Sequence, residues 1–388
     1  MLAVLTAVQF THIMDFMVLM PLGPQLMRLW AMGPQQFGLL VSAYTFSAAA
    51  AALLCAFYID RFDRKNALLL LYGGFALSTL FCALAPGYGT LLAARAVAGA
   101  FGGVTGATVF SMVGDTIPDA RRGTAMGVIM VAFPISAVAG VPFGLILANY
   151  FNWRAPFFLL AVISGLVLAA AWKILPQLHA HVAHARAHNP LRQAHAVFAD
   201  PNHRRAFTLI AILIFGGFSV IPFIAPYMVA NVGLKETDLP WLYFFGGMAT
   251  VFTSRRIGRL ADRHGKRETF TVVALISIVP LLITTNLPPV PVWIAILASV
   301  LFMVFVSGRF GPAMAIVTAA AQPNLRGSFM SFNSAIQQFA LGIASLLSGM
   351  IIGHSAGGGL THYWVVGLIA VACTLSAIFL ARAVKAVG

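Results

Sequence analysis

The stretch Gly258-Arg259-Leu260-Ala261-Asp262-Arg263-His264-Gly265-Lys266-Arg267 separates two long apolar runs, near 238–258 and 268–286. An earlier loop, Ala56-Phe57-Tyr58-Ile59-Asp60-Arg61-Phe62-Asp63-Arg64-Lys65, matches it at an offset of 202. It keeps the Asp-Arg pair and the basic end, but holds Ala56 and Asp63 where the later loop has Gly258 and Gly265. A second pair of matching sites, Arg122-Gly123 and Arg326-Gly327, recurs at an offset of 204. The chain therefore contains two copies of one plan. A carboxylate in such a turn can sit against the positive N-terminus of a neighbouring helix. The plainer alternative is a basic turn that only fixes topology.

The surroundings of these turns are membrane-like. Of 388 residues, 60% are hydrophobic and 9% charged, against about 25% charged in soluble domains. Mean hydropathy is +0.91. These values exclude a soluble enzyme, a disordered chain and a disulfide-rich secreted domain. A spanning helix needs about 20 mostly apolar residues. Twelve such stretches lie near 3–27, 36–58, 66–85, 89–114, 122–148, 155–175, 206–230, 238–258, 268–286, 292–321, 327–352 and 362–384; they are spans 1 to 12 below. The first is too long for a signal peptide and has no basic leader. The chain begins almost inside the membrane, which points to a short native tail before Met1. Cys55, Cys82 and Cys373 lie inside apolar runs and read as small packing residues.

The net charge of +14 suggests nucleic acid until it is mapped. Of 24 Lys and Arg, nineteen fall in one set of alternate loops or the C-terminal tail, and Arg28, Arg154 and Lys235 fall on the other side. The positive-inside rule then places both termini in the cytoplasm. Charge is explained by topology, and no nucleic-acid partner is expected. The absence of an Asn-x-Ser/Thr sequon agrees with a bacterial inner membrane. The polar stretch 176–205 divides the spans six and six, giving domains 1–175 and 206–388 with a linker between. Six spans per half keep the halves in the same orientation, related by an axis along the membrane normal. The expected fold is all-α, twelve transmembrane helices in two six-helix bundles, rocking about a midplane cavity.

The decapeptide at 258–267 resembles the signature loop of the major facilitator superfamily at every defining position. Span 4 carries Leu92-Ala93-Ala94-Arg95-Ala96-Val97-Ala98-Gly99, similar to the family motif with an intramembrane arginine. Span 5 carries Gly140-Val141-Pro142-Phe143-Gly144, which resembles the Gly-Pro element of its proton-driven antiporters, in the arabinose-efflux-permease-like and drug-efflux variant. Gly-rich helices also simply pack closely. The resemblance implies that Asp60, Arg61, Arg64, Gly258, Asp262, Arg263, Gly265, Lys266 and Arg267 form cytoplasmic gate elements. Asp60 would face the start of span 11, and Asp262 the start of span 5. Having Asp63 in a glycine position puts the tightness of the first turn in question.

An ionisable residue at membrane depth is expensive and points to function. Among ten acids, Asp15 alone lies deep, midway along span 1. It is expected to bind and release the coupling proton, or else to stay ionised against Arg95 and pin span 1 to span 4. His12, three residues earlier, shares its helix face and could relay a proton, orient the carboxyl group or simply pack. Arg309, in span 10, has no deep acid to pair with. It must face water, backbone carbonyls or substrate, unless it snorkels to the surface. Tyr44, Phe215, Asn333 and Gln337 complete the candidate cavity set; Asn333 and Gln337 share a face at i, i+4 in span 11.

The linker holds His179, His181, His184, His188, His195 and His203. The favoured reading is a solvated basic linker that covers the cytoplasmic face and meets anionic headgroups; His184 and His188, at zinc-ligand spacing, offer a metal or pH sensor as the lesser alternative. No catalytic constellation supports an enzyme, and no cofactor is expected. The leading reading is a monomeric proton-coupled exporter of a small drug-like or sugar-like molecule, working by alternating access. The rivals are uptake by symport or uniport, and a membrane sensor built on the histidine linker.

Overall fold

The structure, a computed structural model, describes residues 1–55, 62–177, 190–322, 325–355 and 357–387. Among the described residues, each of the twelve apolar stretches is helical over most of its length. Eleven helices among the described residues are long and apolar enough to cross a membrane. The remaining stretch, span 8, is the helix Leu239–His264, whose last turns carry the arginines of the signature.

Span 7 begins at Pro201, inside the stretch read as linker, and breaks after Phe218 into a 3-10 turn, Ile221–Phe223, and a short helix, Ile224–Ala230. Four further boundaries differ from the sequence reading, each for a local reason. Span 1 ends at Leu19, and a separate short helix, Gly23–Leu29, follows. Pro21 and Pro24 each lack an amide donor, so one helix cannot run through them. Span 5 is broken: Asp119–Met130 and Ala132–Ile135 are α-helical, Ser136–Gly140 is a π-helical turn, and Val141–Tyr150 resumes the α-helix. Pro142 sits two residues past the π turn, where its missing N–H costs least. Span 10 bends at Arg309, between Val292–Gly308 and Phe310–Ala319. Finally, the first seven residues of the signature continue the span 8 helix. Only Gly265 separates it from span 9, Lys266–Thr285.

The chain divides into two compact units. The first comprises Met1–Leu19 and Ala43–Pro190. Its core joins Val4, Leu5 and Val8 of span 1 to Leu68, Tyr72 and Phe75 of span 3, Val109, Met112 and Val113 of span 4, and Ile129 of span 5. The second comprises Met20–Ser42 and Leu191–Gly388. In it Gly38 and Gly349 let span 2 and span 11 touch by backbone: a Cβ on Gly38 would stand 2.4 Å from the Ser345 carbonyl oxygen, and one on Gly349 2.6 Å from that of Pro34. The helix Pro190–Ala199 docks in this unit through Phe198, whose ring centroid lies 5.5 Å from that of Phe207 and 5.0 Å from that of Phe332. A short antiparallel hairpin, β1 (Gly353–His354) with β2 (Leu360–Thr361), is pinned by the Asn231 amide, which bonds both the N–H and the carbonyl of Leu360.

Large apolar side chains such as Leu70, Leu166, Phe252 and Phe379 are exposed, as a lipid solvent requires. Trp241, Trp293 and Trp364 are exposed in the first turns of spans 8, 10 and 12. Tryptophan favours that interfacial depth, with its ring in the apolar zone and its N–H in the wet one.

Candidate functional site: a buried ion pair beside unpartnered polar groups

Asp15 and Arg95 meet inside the first unit. The Arg95 Nη1 donates to Asp15 Oδ2 at 2.6 Å, with both side chains at 0% exposure. The same nitrogen donates to the Asp15 main-chain oxygen at 3.3 Å. Thr79 of span 3 donates its hydroxyl to Asp15 Oδ1 at 3.3 Å. The Arg95 guanidinium lies over the Tyr44 ring, 4.4 Å from its centroid, where the ring face attracts a cation. His12 packs edge-on against Phe75 at 5.9 Å between centroids, and tilted against Tyr44 at 6.4 Å. The structure thus brings Asp15, His12, Arg95 and Tyr44 together, as the sequence reading grouped the first three. It adds Thr79, which gave no sequence signal because membrane threonines mostly bond their own helix.

Most of the remaining hydrogen-bonding capacity here is unused. Gln9 Oε1, both His12 ring nitrogens, the Tyr44 hydroxyl, and Arg95 Nε and Nη2 are buried without a hydrogen-bond partner among the described residues. Buried polar groups normally find partners, and six atoms of this cluster have none among the described residues.

The Gly140-Pro142-Gly144 element packs on the residue before Asp15. A Cβ at Gly140 would stand 2.7 Å from Met14 Sδ, and one at Gly144 2.9 Å from Met14 Cε. The Ser136 hydroxyl reaches the Phe10 carbonyl at 3.4 Å. Single π turns inside α-helices often mark functional sites, and this one abuts the helix that carries the buried carboxylate.

The two repeated turns solve one problem differently. Gly265 has φ +97°, a conformation costly for any residue with a Cβ. Asp63, at the matching position, has φ −57° and caps span 3 by accepting from the Asn66 N–H at 2.9 Å. The first turn therefore needs no glycine: the carboxylate cap replaces the left-handed residue. Arg64 pairs with Asp115 at 3.0 Å, and Arg122 donates to the Gly114 carbonyl at 2.8 Å. Asp60 and Arg61 lie outside the described residues. Gly258, Asp262, Arg263, Lys266 and Arg267 are exposed, and Arg267 donates to the Val384 carbonyl of the C-terminal tail.

At the same end of the second unit, Asp200 caps span 7. Burial opposes its charge, but N–H groups of Asn202 and His203, the His203 ring and the Gln322 amide hold its carboxyl below the ordinary carboxylate range. His184 and His188 lie outside the described residues. His203 is buried in the helical core, with its ring 4.8 Å from that of Phe329.

In the second unit, Arg309 is 1% exposed, so it does not snorkel. Its Nη1 donates to Ser277 Oγ at 3.2 Å and to Thr374 Oγ1 at 2.6 Å. Each hydroxyl in turn donates to its own helix, to Ala274 and Ala370. Side-chain hydroxyls were missing from the sequence reading of its partners. Asn333 is buried and Gln337 half-buried, both 3.9 Å from Met314 Sδ; Asn333 Oδ1 has no partner among the described residues. Phe215 is half-buried on span 7.

Twelve apolar helices in two repeated sets, a signature turn between spans 8 and 9 and an intramembrane ion pair define a membrane transporter. The family model for the major facilitator superfamily matches residues 5–254 and 206–387; the chain belongs to that superfamily and has its twelve-helix fold. An MFS-type transporter of Bacillus subtilis (strain 168), YceJ, is 25% identical over 351 residues, 89% of this chain and 87% of that protein. A probable sugar efflux transporter of Pasteurella multocida (strain Pm70) is 22% identical, over 88% of this chain and 81% of its own length. The solved structure of a D-xylose-proton symporter matches 98% of this chain and 96% of that one, with a TM-score of 0.77 at 16% identity. That likeness is one of fold.

Proposed function

We propose that the chain is a proton-coupled antiporter that exports a small sugar-like molecule from the cytoplasm, with Asp15 as the coupling carboxylate. The single observation that carries this reading is the Asp15–Arg95 pair at 0% exposure. With Asp15 ionised, a substrate hydroxyl can donate to its carboxylate and accept from Arg95, whose Nε and Nη2 have no hydrogen-bond partner among the described residues. A proton arriving on Asp15 removes that acceptor and neutralises the charge that orients Arg95, so the substrate leaves. The next substrate needs the carboxylate again, and its binding expels the proton. Binding of proton and substrate is then exclusive, which is the requirement for exchange. Relatives named as probable sugar efflux transporters support the sugar-like class and the outward direction. In this reading the protein works as a monomer in a bacterial inner membrane. Both termini are cytoplasmic, and the halves 1–175 and 206–388 alternate access.

The test uses proteoliposomes and a panel of labelled pentoses, hexoses and disaccharides. With Asp15→Asn, transport driven by a pH gradient should disappear, while counterflow of the same sugar without a gradient persists. Asn keeps the shape but cannot titrate. Gradient-driven transport retained by the variant would remove Asp15 from coupling.

A further inference from the structure

Span 4 presents Arg95, Gly102 and Gly106 to span 1, at spacings of seven and eleven residues that keep them on one helix stripe. Facing them on span 1 are Asp15, His12 and Gln9, one turn apart. A Cβ on Gly102 would stand 2.4 Å from the Tyr44 hydroxyl and 2.9 Å from His12 Cδ2. One on Gly106 would stand 3.5 Å from Gln9 Oε1. Opposite the buried carboxylate is thus the guanidinium, and opposite each next polar group toward the N-terminus is a bare glycine. Gln9 Oε1 and both nitrogens of His12 are buried and unpartnered among the described residues. The other titratable groups at this column are Tyr44 on span 2, 1% exposed, and buried Cys82 on span 3.

We propose that Gln9 and His12, against Gly102 and Gly106, form a hydrated file through which the proton of Asp15 exchanges with the N-terminal end of span 1. This rests on the reading of Asp15 as the coupling carboxylate. An α-helix rises about 1.5 Å per residue, so rungs three residues apart are separated by roughly 4.5 Å, a gap that one bridging water spans. The Gln9 amide and the His12 imidazole each offer the acceptor that such a water needs. The imidazole can also take a proton on one nitrogen and give it up from the other. In an exporter this file is the exit: Asp15 loads from the far side and discharges along span 1 to the cytoplasm.

The test is infrared spectroscopy of the full chain reconstituted in lipid, following hydrogen–deuterium exchange of the protonated Asp15 carboxyl. Its C=O band is identified as the one absent from Asp15→Asn. Gln9→Leu removes the polar rung, and Gly106→Leu fills the space from the facing helix. Each should slow exchange at least ten-fold, whereas Gln9→Asn, which keeps an amide, should exchange within a few-fold of the wild type. A wild-type rate in either leucine variant that folds, checked by thermal unfolding, overturns the file while Asp15 coupling stands. A spectrum in which Asp15→Asn removes no titrating band overturns the coupling reading itself. If neither leucine variant folds, His12→Leu against His12→Gln decides: slowing by Leu alone supports the file, and equal rates overturn it.

Discussion

A carboxylate and a guanidinium that share 0% exposure each owe their charge to the other. Removing one partner of such a pair leaves an uncompensated charge and typically costs about 3–5 kcal/mol, while replacing both by apolar residues is often neutral. Arg95→Met should therefore lower the thermal unfolding midpoint sharply. The double variant Asp15→Leu with Arg95→Met should recover most of that loss and yet show no pH-driven transport. A double variant as unstable as the single one would mean that Thr79 and Tyr44, not the charge pair, hold the site together. Arg309 differs, because its partners are two hydroxyls. A guanidinium stays charged at any accessible pH, and its planar fork, unlike an ammonium, can present two parallel N–H groups to one substrate group. If it binds substrate, transport per folded molecule should fall in the order wild type, Arg309→Lys, Arg309→Ala. Equal rates for Lys and wild type would confine Arg309 to holding spans 9, 10 and 12.

At the level of elements, the two turns at Asp63 and Gly265 make opposite predictions. Gly265 has φ +97°, and a Cβ there would meet the Glu268 carboxylate. Gly265→Ala should destabilise by about 1–3 kcal/mol, the usual cost of a residue held in a sparsely populated backbone region. Asp63→Ala loses only an N-cap, about 1 kcal/mol. Exchanging the residues should separate the two solutions further: Gly265→Asp should not be rescued by capping, because its backbone angle is wrong for the cap. Thermal unfolding of the three variants in one detergent checks the order, and a Gly265→Ala variant as stable as wild type would show that the turn relaxes. The π turn Ser136–Gly140 belongs to this scale too. It precedes Pro142, in the stretch whose Gly140 and Gly144 pack on Met14, the neighbour of Asp15.

For the whole molecule, the exposed Asp262 is the informative probe. Its carboxylate lies far along the sequence from the ion pair, in the last helical turn before Gly265. If Asp262 belongs to a cytoplasmic gate, Asp262→Asn should lower the turnover of labelled sugar several-fold while leaving its equilibrium binding unchanged, because a gate sets the rate of interconversion and not the site. A matching loss of binding would place Asp262 in the substrate site, and an unchanged turnover would leave the turn a purely topological role.

Composition and the spacing of apolar runs were enough to fix the twelve spans, because bilayer thickness sets helix length directly. The offsets of 202 and 204 likewise exposed the repeat, and Asp15 stood out because an acid at membrane depth is costly. Asp15 with Arg95 was legible as a possible pair, since few charged residues lie deep enough to meet. Sequence periodicity says nothing about which helix faces which, however. Thr79 on Asp15, Ser277 and Thr374 on Arg309, and the glycines opposite Gln9 and His12 came only from packing. Nor could it show that the signature turn shrinks to Gly265 alone, or that Asp63 replaces the matching glycine by capping. Those outcomes depend on backbone angles and on the space between helices. Both are set by side chains distant in sequence that compete for the same buried volume.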